Sequence, residues 1–422
     1  MHNVRISPCT LSGTVSVPPS KSAAHRAIIC ASLAKGGSII SPIEMSNDIA
    51  ATIGCMRTLG ADIRTEGKAL HIDGTNVFSA GDVLLDCGES GSTLRFLVPV
   101  AAAGGVSAQF VGHGKLPERP IGVYTGCLPE KGTACVTKGG LPLSISGKLQ
   151  SGNYEIPGNI SSQFITGLLL ALPLLDGDSE IKLTSPAQSV GYINMTTDIM
   201  QRFGVNVQKT ENGWFIPGGQ KYLPHDHTVE GDWSQAAFFL TAGALGGNIT
   251  IDNLSADSAQ GDKECIEIYR RFGAEITVND GRININGGRL HGIEIDASDI
   301  PDMVPALAVT AAFAGGRTVI RGAERLRIKE CDRLAAMTDG LTRLGASVTE
   351  TDDGMIIDGK PRIRGGFAEG YNDHRIVMSL AVAAAGCEED IILTDMESVN
   401  KSYPSFFEDY RMLGGIADVI MG

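Results

Sequence analysis

The chain has 422 residues, 43% of them hydrophobic, and a formal net charge of −13 at pH 7. That length is ample for two or more domains with their own cores. The acidic balance excludes a general nucleic-acid or membrane-surface binder, whose affinity would rest on excess Lys and Arg, so any anion site must be a local basic pocket. The nine cysteines are scattered with no CxxC pair, which indicates neither a disulfide framework nor a zinc knuckle. The opening MHNVRISPCTLSGTVSV has no apolar core of signal-peptide length, and the longest apolar runs, such as LLLALPLL at Leu168–Leu175, are too short to span a bilayer. A cytoplasmic location is expected.

In VPPSKSAAHRAII, Val17–Ile29, two prolines block a helix before Ser20, and the pattern predicts a helix over about 22–34, capped by Ser20 or Ser22. Lys21 and Arg26 then sit in its first turns, where the exposed N–H groups already carry a partial positive charge. A bound anion would resolve that conflict. Beyond this helix the chain repeats itself. The segments LGADI, KGTACV, FGVNV, FGAEI, LGASV and LGGIADV place glycines at 60, 132, 204, 273, 345 and 414, successive gaps of 72, 72, 69, 72 and 69 residues. Six units of about 70 residues therefore fill the chain. Each glycine follows a helical stretch and suits its C′ position, and after most of them comes a hairpin-like pair such as AEITVNDGRININGG, with NDG as the turn.

A second marker runs in phase with the first. Each unit holds an apolar helix that opens on polar residues and closes on glycine: SKSAAHRAIICASLAKGG, SGSTLRFLVPVAAAGG, SSQFITGLLLALPLLDG, WSQAAFFLTAGALGG, PDMVPALAVTAAFAGG and NDHRIVMSLAVAAAG. Helices that are hydrophobic nearly all round are buried, so six related helices would run parallel and aim their positive ends toward one region. Ser, Asp and Asn at those ends act as caps. Capping does not account for Lys21, Arg26, Arg95 and Arg375 in the same turns.

Other motifs carry less. GESGSTLR lacks both the GK[ST] ending of a Walker loop and the GxGxxG of a dinucleotide site. The HDH at His225–His227 stands beside Pro224 with spacing that suits a loop better than a metal pair.

Together, PPSKSAAHRA, SGSTLRFL, LPERPI, ISSQFITGLLL, IPDM, RIKECDRL, NDHRIVMS and VNKSYPSFF resemble the 5-enolpyruvylshikimate-3-phosphate synthase family, the 3-phosphoshikimate 1-carboxyvinyltransferases, over essentially the whole length. The resemblance implies an α/β fold of two inside-out α/β barrel domains, three repeats in each, with buried parallel helices. It places residues 20–228 in an N-terminal domain and 1–19 plus 229–422 in a C-terminal one, with the active site in the cleft between them. The reaction implied is transfer of the enolpyruvyl group of phosphoenolpyruvate to the 5-hydroxyl of shikimate 3-phosphate, with loss of phosphate. It involves neither nucleic acid nor membrane, requires no metal or organic cofactor, and is commonly performed by monomers.

By the same resemblance, Ser22, Arg26, Ser161, Ser162, Ser189 and Tyr192 would hold shikimate 3-phosphate, with Lys329 and Asp302 near it and Gln163 between the two substrates. Gly91, Arg119, Arg333, His374, Arg375 and Lys401 would surround phosphoenolpyruvate, with Lys21 reaching both. Asp302 would accept the hydroxyl proton, while Glu330, with Lys21, would serve proton transfer at carbon. Arg95 matches a family arginine whose role is either binding or structural. Glu89 and Arg325 stand where relatives often have asparagine, and no contact is carried over to them. Two alternatives remain. The related transferase acting on UDP-N-acetylglucosamine typically carries a loop cysteine a few residues before its matching arginine, and none lies between Val111 and Arg119. An inactive repeat scaffold would keep its polar residues evenly distributed, whereas here they differ from unit to unit.

Overall fold

A computed structural model describes residues 2–279 and 281–420. Asp280, in the NDG turn expected between the strands Glu275–Asn279 and Arg282–Asn286, lies outside the described residues. The chain divides into two compact units, one from Pro19 to Val229 and the other from the residues before it together with those from Glu230 onward. The first holds the helices α1 (Lys21–Leu33), α2 (Asn47–Thr58), α3 (Gly91–Ala103), α4 (Gly122–Cys127), α5 (Ser162–Ala171) and α6 (Val190–Arg202). The second holds α7 (Trp233–Ala244), α8 (Cys265–Phe272), α9 (Val304–Phe313), α10 (Arg333–Arg343), α11 (His374–Ala383) and α12 (Phe406–Met412).

Among the described residues the strands form six four-stranded sheets of one design. A leading strand runs parallel to its neighbour, which pairs antiparallel with the second arm of a hairpin, as in Val83–Asp86, Ala108–Val111, Leu143–Gly147 and Thr133–Val136. In three of the six sheets a strand arrives from a distant part of the chain. His227–Thr228 leads the sheet of Gly37–Ser41, Ser12–Ser16 leads that of Asn248–Asp252, and Asn3–Ser7 lies between Ile391–Leu393 and Ile416–Ile420. The first two strands are thereby locked into sheets built by residues beyond Glu230. Their alternation matches this placement: Val4 and Ile6 are fully buried, while Arg5 faces out and meets Asp418 at 3.0 Å.

The six repeat helices α1, α3, α5, α7, α9 and α11 are buried almost along their whole length, with the sheets outside them. This is the inside-out α/β arrangement. The six periodic glycines all adopt positive φ, between 80° at Gly204 and 110° at Gly60, a region that a side chain would strain. Close helix contact also needs glycine at Gly167 on α5. A Cβ there would collide with the Arg95 carbonyl oxygen and the Tyr124 hydroxyl. That hydroxyl donates to the Arg95 carbonyl at 2.6 Å and lies 3.0 Å from the Phe164 carbonyl, and so ties α3 to α5. No described helix is long and apolar enough to cross a membrane.

Candidate active site

In the unit from Pro19 to Val229 the polar residues gather where the repeat helices begin. Ser20 caps α1 by accepting the Ala23 amide. Lys21, the first helical residue, donates to Asp48 Oδ2 at 2.6 Å, and Asp48 sits in the first turn of α2, where a negative charge is favourable. Arg26 lies deeper, 2% exposed, below Ser22 and Tyr192. It donates to the Ser22 carbonyl at 2.6 Å, the Tyr192 carbonyl at 3.2 Å and the Thr196 hydroxyl at 2.7 Å, and its guanidinium lies 5.0 Å from the centroid of the Phe96 ring. Burial pulls its pKa down to about 10. Backbone carbonyls thus meet much of the charge for which the sequence called an anion, and Arg26 orients two residues expected to touch substrate.

At the start of α3, a Cβ built on Gly91 would stand 2.8–2.9 Å from the Arg119 guanidinium. The bare backbone is what admits that arginine, itself 6% exposed. Ser161 caps α5, accepting the Gln163 amide at 3.3 Å. The Gln163 side chain is held at both ends: its Oε1 accepts from Arg95 at 2.6 Å and its Nε2 donates to Ser92 Oγ at 3.0 Å. Arg95 also donates to the Pro120 carbonyl and lies over the Phe164 ring, a structural clamp between α3, α5 and the segment before α4. Ser189, at φ 55°, leads into α6, with Tyr192 in its first turn.

The unit completed by residues from Glu230 onward builds a denser charge cluster. Asp302 stands in the 3-10 turn Pro301–Met303 before α9. Lys329, Arg333 and Arg375 donate to its carboxylate at 3.3, 3.1 and 3.2 Å. Arg333 grips Asp373 with Nε at 2.7 Å and a terminal nitrogen at 3.2 Å, and that nitrogen also reaches Glu330 at 2.7 Å. Asp373 in turn caps α11, and Arg375 donates to Ser234 Oγ at 2.9 Å. Lys401 donates to the Asn372 carbonyl at 2.6 Å, and His374, 2% exposed, opens α11. Burial opposes ionisation of Asp302, yet Arg375, Lys329 and Arg333 hold its carboxyl well below the usual range. Burial likewise opposes the charge on Arg333, and Asp373, Glu330 and Asp302 overcome it.

The structure therefore groups the expected residues into two sets, one in each unit. Asp48, Asp373, Ser234 and Asn372 join them without having been singled out. Only the cap pattern of NDHR marked Asp373, and it doubles as the main partner of Arg333. Arg325 is 7% exposed and donates to the Ser298 carbonyl, a structural contact. His225 and His227 pack around Phe203, and among the described residues no group of three or more His, Cys, Asp or Glu is placed to hold a metal ion.

Buried helices that present guanidinium, ammonium and amide groups at their N-termini, interleaved with carboxylates, define an α/β protein that handles small polyanions and moves protons on them. Comparison with known proteins narrows this class. The family described as EPSP synthase (3-phosphoshikimate 1-carboxyvinyltransferase) matches residues 7–410, and the chain belongs to that family. The 3-phosphoshikimate 1-carboxyvinyltransferases of Clostridium perfringens and Clostridium novyi are 47% and 45% identical to it, with 99% of each chain covered. The crystal structure of EPSP synthase from Acinetobacter baumannii superposes with a TM-score of 0.85 at 29% identity, each chain fully covered.

Proposed function

We propose that this protein transfers the carboxyvinyl group of phosphoenolpyruvate to the 5-hydroxyl of shikimate 3-phosphate and releases inorganic phosphate, a step on the route to chorismate and the aromatic amino acids. The observation that carries this reading is the grouping of Asp302 and Glu330 with Lys329, Arg333 and Arg375: carboxylates for proton transfer, set among cations that suit phosphate and carboxylate.

In this reading the 5-hydroxyl adds to C2 of phosphoenolpyruvate as a proton reaches its methylene carbon, and loss of that proton with phosphate restores the vinyl group. Asp302 accepts the hydroxyl proton, and Glu330 with Lys21 serves the carbon. Ser22, Arg26, Ser161, Ser162, Gln163, Ser189 and Tyr192 hold shikimate 3-phosphate, aided by Lys329. Gly91, Arg119, Arg333, His374, Arg375 and Lys401 hold phosphoenolpyruvate. A carboxylate as strongly stabilised as Asp302 is a weak base. Substrate anions arriving at Arg333, Arg375 and Lys329 offset the field on it and raise its basicity in the complex. The enzyme acts as a monomer, and it works in the cytoplasm, a location with which its nine free cysteines agree.

Phosphate release from phosphoenolpyruvate, with shikimate 3-phosphate or UDP-N-acetylglucosamine as acceptor, is the test. Release only with shikimate 3-phosphate, reduced about 10²- to 10⁴-fold by Asp302→Ala or Glu330→Ala, is expected. Release only with the nucleotide sugar, or none from folded protein, would overturn the reading.

A further inference from the structure

A chain of hydrogen bonds runs behind the starts of α1, α2 and α3. On α3 the Thr93 hydroxyl donates to Ser90 Oγ at 2.8 Å, and the same oxygen accepts the Thr93 amide at 3.1 Å. Thr52 Oγ1 on α2 lies 2.7 Å from Thr93 Oγ1, and His25 Nδ1 on α1 lies 2.7 Å from Thr52 Oγ1. A hydroxyl has one proton to give. Thr93 gives its proton to Ser90, so Thr52 must donate to Thr93 and has none left for His25. His25 therefore donates from Nδ1, and its bare nitrogen is Nε2. That atom is buried and meets no hydrogen-bond partner. Burial, and then Lys21 and Arg26, keep the ring uncharged.

A packing role alone would favour an apolar side chain, which would bury no unsatisfied nitrogen. What the imidazole adds is a donor at one position, and its proton starts a relay that ends on the cap of α3. The three helices so joined carry Lys21 and Ser22, Asp48 with its ion pair to Lys21, and Gly91 with Ser92. We infer that His25, donating from Nδ1 through Thr52 and Thr93 to Ser90, is a positioning residue that sets the spacing of Lys21, Asp48 and Gly91 for carboxyvinyl transfer. The inference rests on the function proposed above.

The test compares His25→Leu and His25→Asn by steady-state phosphate release and by thermal unfolding. Leucine fills the space without a donor, whereas asparagine places its amide N–H close to where imidazole Nδ1 stands. The leucine variant is expected to raise KM for phosphoenolpyruvate about three- to tenfold, with a smaller fall in kcat, and asparagine to return KM to within about twofold. A merely structural role would lower the unfolding midpoint and leave KM unchanged, which would overturn the inference, as would an asparagine variant no better than leucine. Should the leucine variant not fold, ¹⁵N NMR of the wild-type imidazole decides, since a proton on Nε2 refutes the relay and one on Nδ1 supports it. A wild-type protein without transfer activity would sink the proposed function and this inference together. An active wild type with unaffected variants would sink only the inference.

Discussion

Replacing Gly91 with alanine separates substrate binding from folding. The new Cβ would stand 2.8–2.9 Å from three atoms of the Arg119 guanidinium, whereas ordinary contact begins near 3.4 Å. Gly91 is the first residue of α3 and does not have positive φ, so the backbone accepts alanine without strain. The Arg119 tip, the flexible end of a long side chain, is what must give, and it retreats by about 0.5 Å. A charge-assisted contact is worth about 1.5–3 kcal/mol when lost outright, and displacement should forfeit roughly half, near 1–1.5 kcal/mol. KM for phosphoenolpyruvate should therefore rise about 5- to 10-fold, with KM for shikimate 3-phosphate within twofold of wild type. The unfolding midpoint should hold or rise slightly, because alanine is the better helix former. Initial rates over a matrix of both substrates measure the two constants. An unchanged KM for phosphoenolpyruvate would refute the claim that Gly91 exists to admit Arg119.

Asp302→Asn keeps the size of the side chain and should lower kcat about 10²- to 10⁴-fold. Because the fold depresses the Asp302 pKa, its ionic stabilisation is complete above about pH 4 and is lost as pH falls through the lowered value. Denaturant titrations of wild type and variant should thus differ by a constant amount from pH 8 to 5 and converge below pH 4; a gap that widens there would contradict the sign. Gly167→Ala should cost about 3 kcal/mol through overpacking between α3 and α5, and a midpoint within 2 °C of wild type would show that the helices separate easily. Burial, followed by Arg202 and His225, lowers the His227 pKa to about 4 from the usual 6.5. The unfolded chain takes up that proton first, so stability falls by up to about 3 kcal/mol between pH 6.5 and 4, and His227→Phe should flatten the slope. Parallel stability curves for the two proteins would rule out this assignment.

What the sequence by itself determined was local. Glycines spaced 69–72 residues apart marked six helix ends, and all six take the left-handed backbone such an end demands. Ser20, Ser90, Ser161, Asp232 and Asp373 cap helices within two or three residues, a reach that a short motif fully encodes. The site was legible as far as its matched motifs extended, but the partner of each charge was not. Lys21 meets Asp48 across 27 residues, Thr52 meets Thr93 across 41, and Arg333 grips Asp373 across 40. Such pairs form only when separate helices pack side by side, and no local pattern records which polar end will face which. Arg26 shows the difference most clearly. Its position in the first turns of α1 signalled an unanswered positive charge, because helix geometry alone sets that field. Tertiary structure supplied, from α6, the Tyr192 carbonyl and the Thr196 hydroxyl. It thereby tied the start of α1 to α6, a connection that no pattern within α1 records.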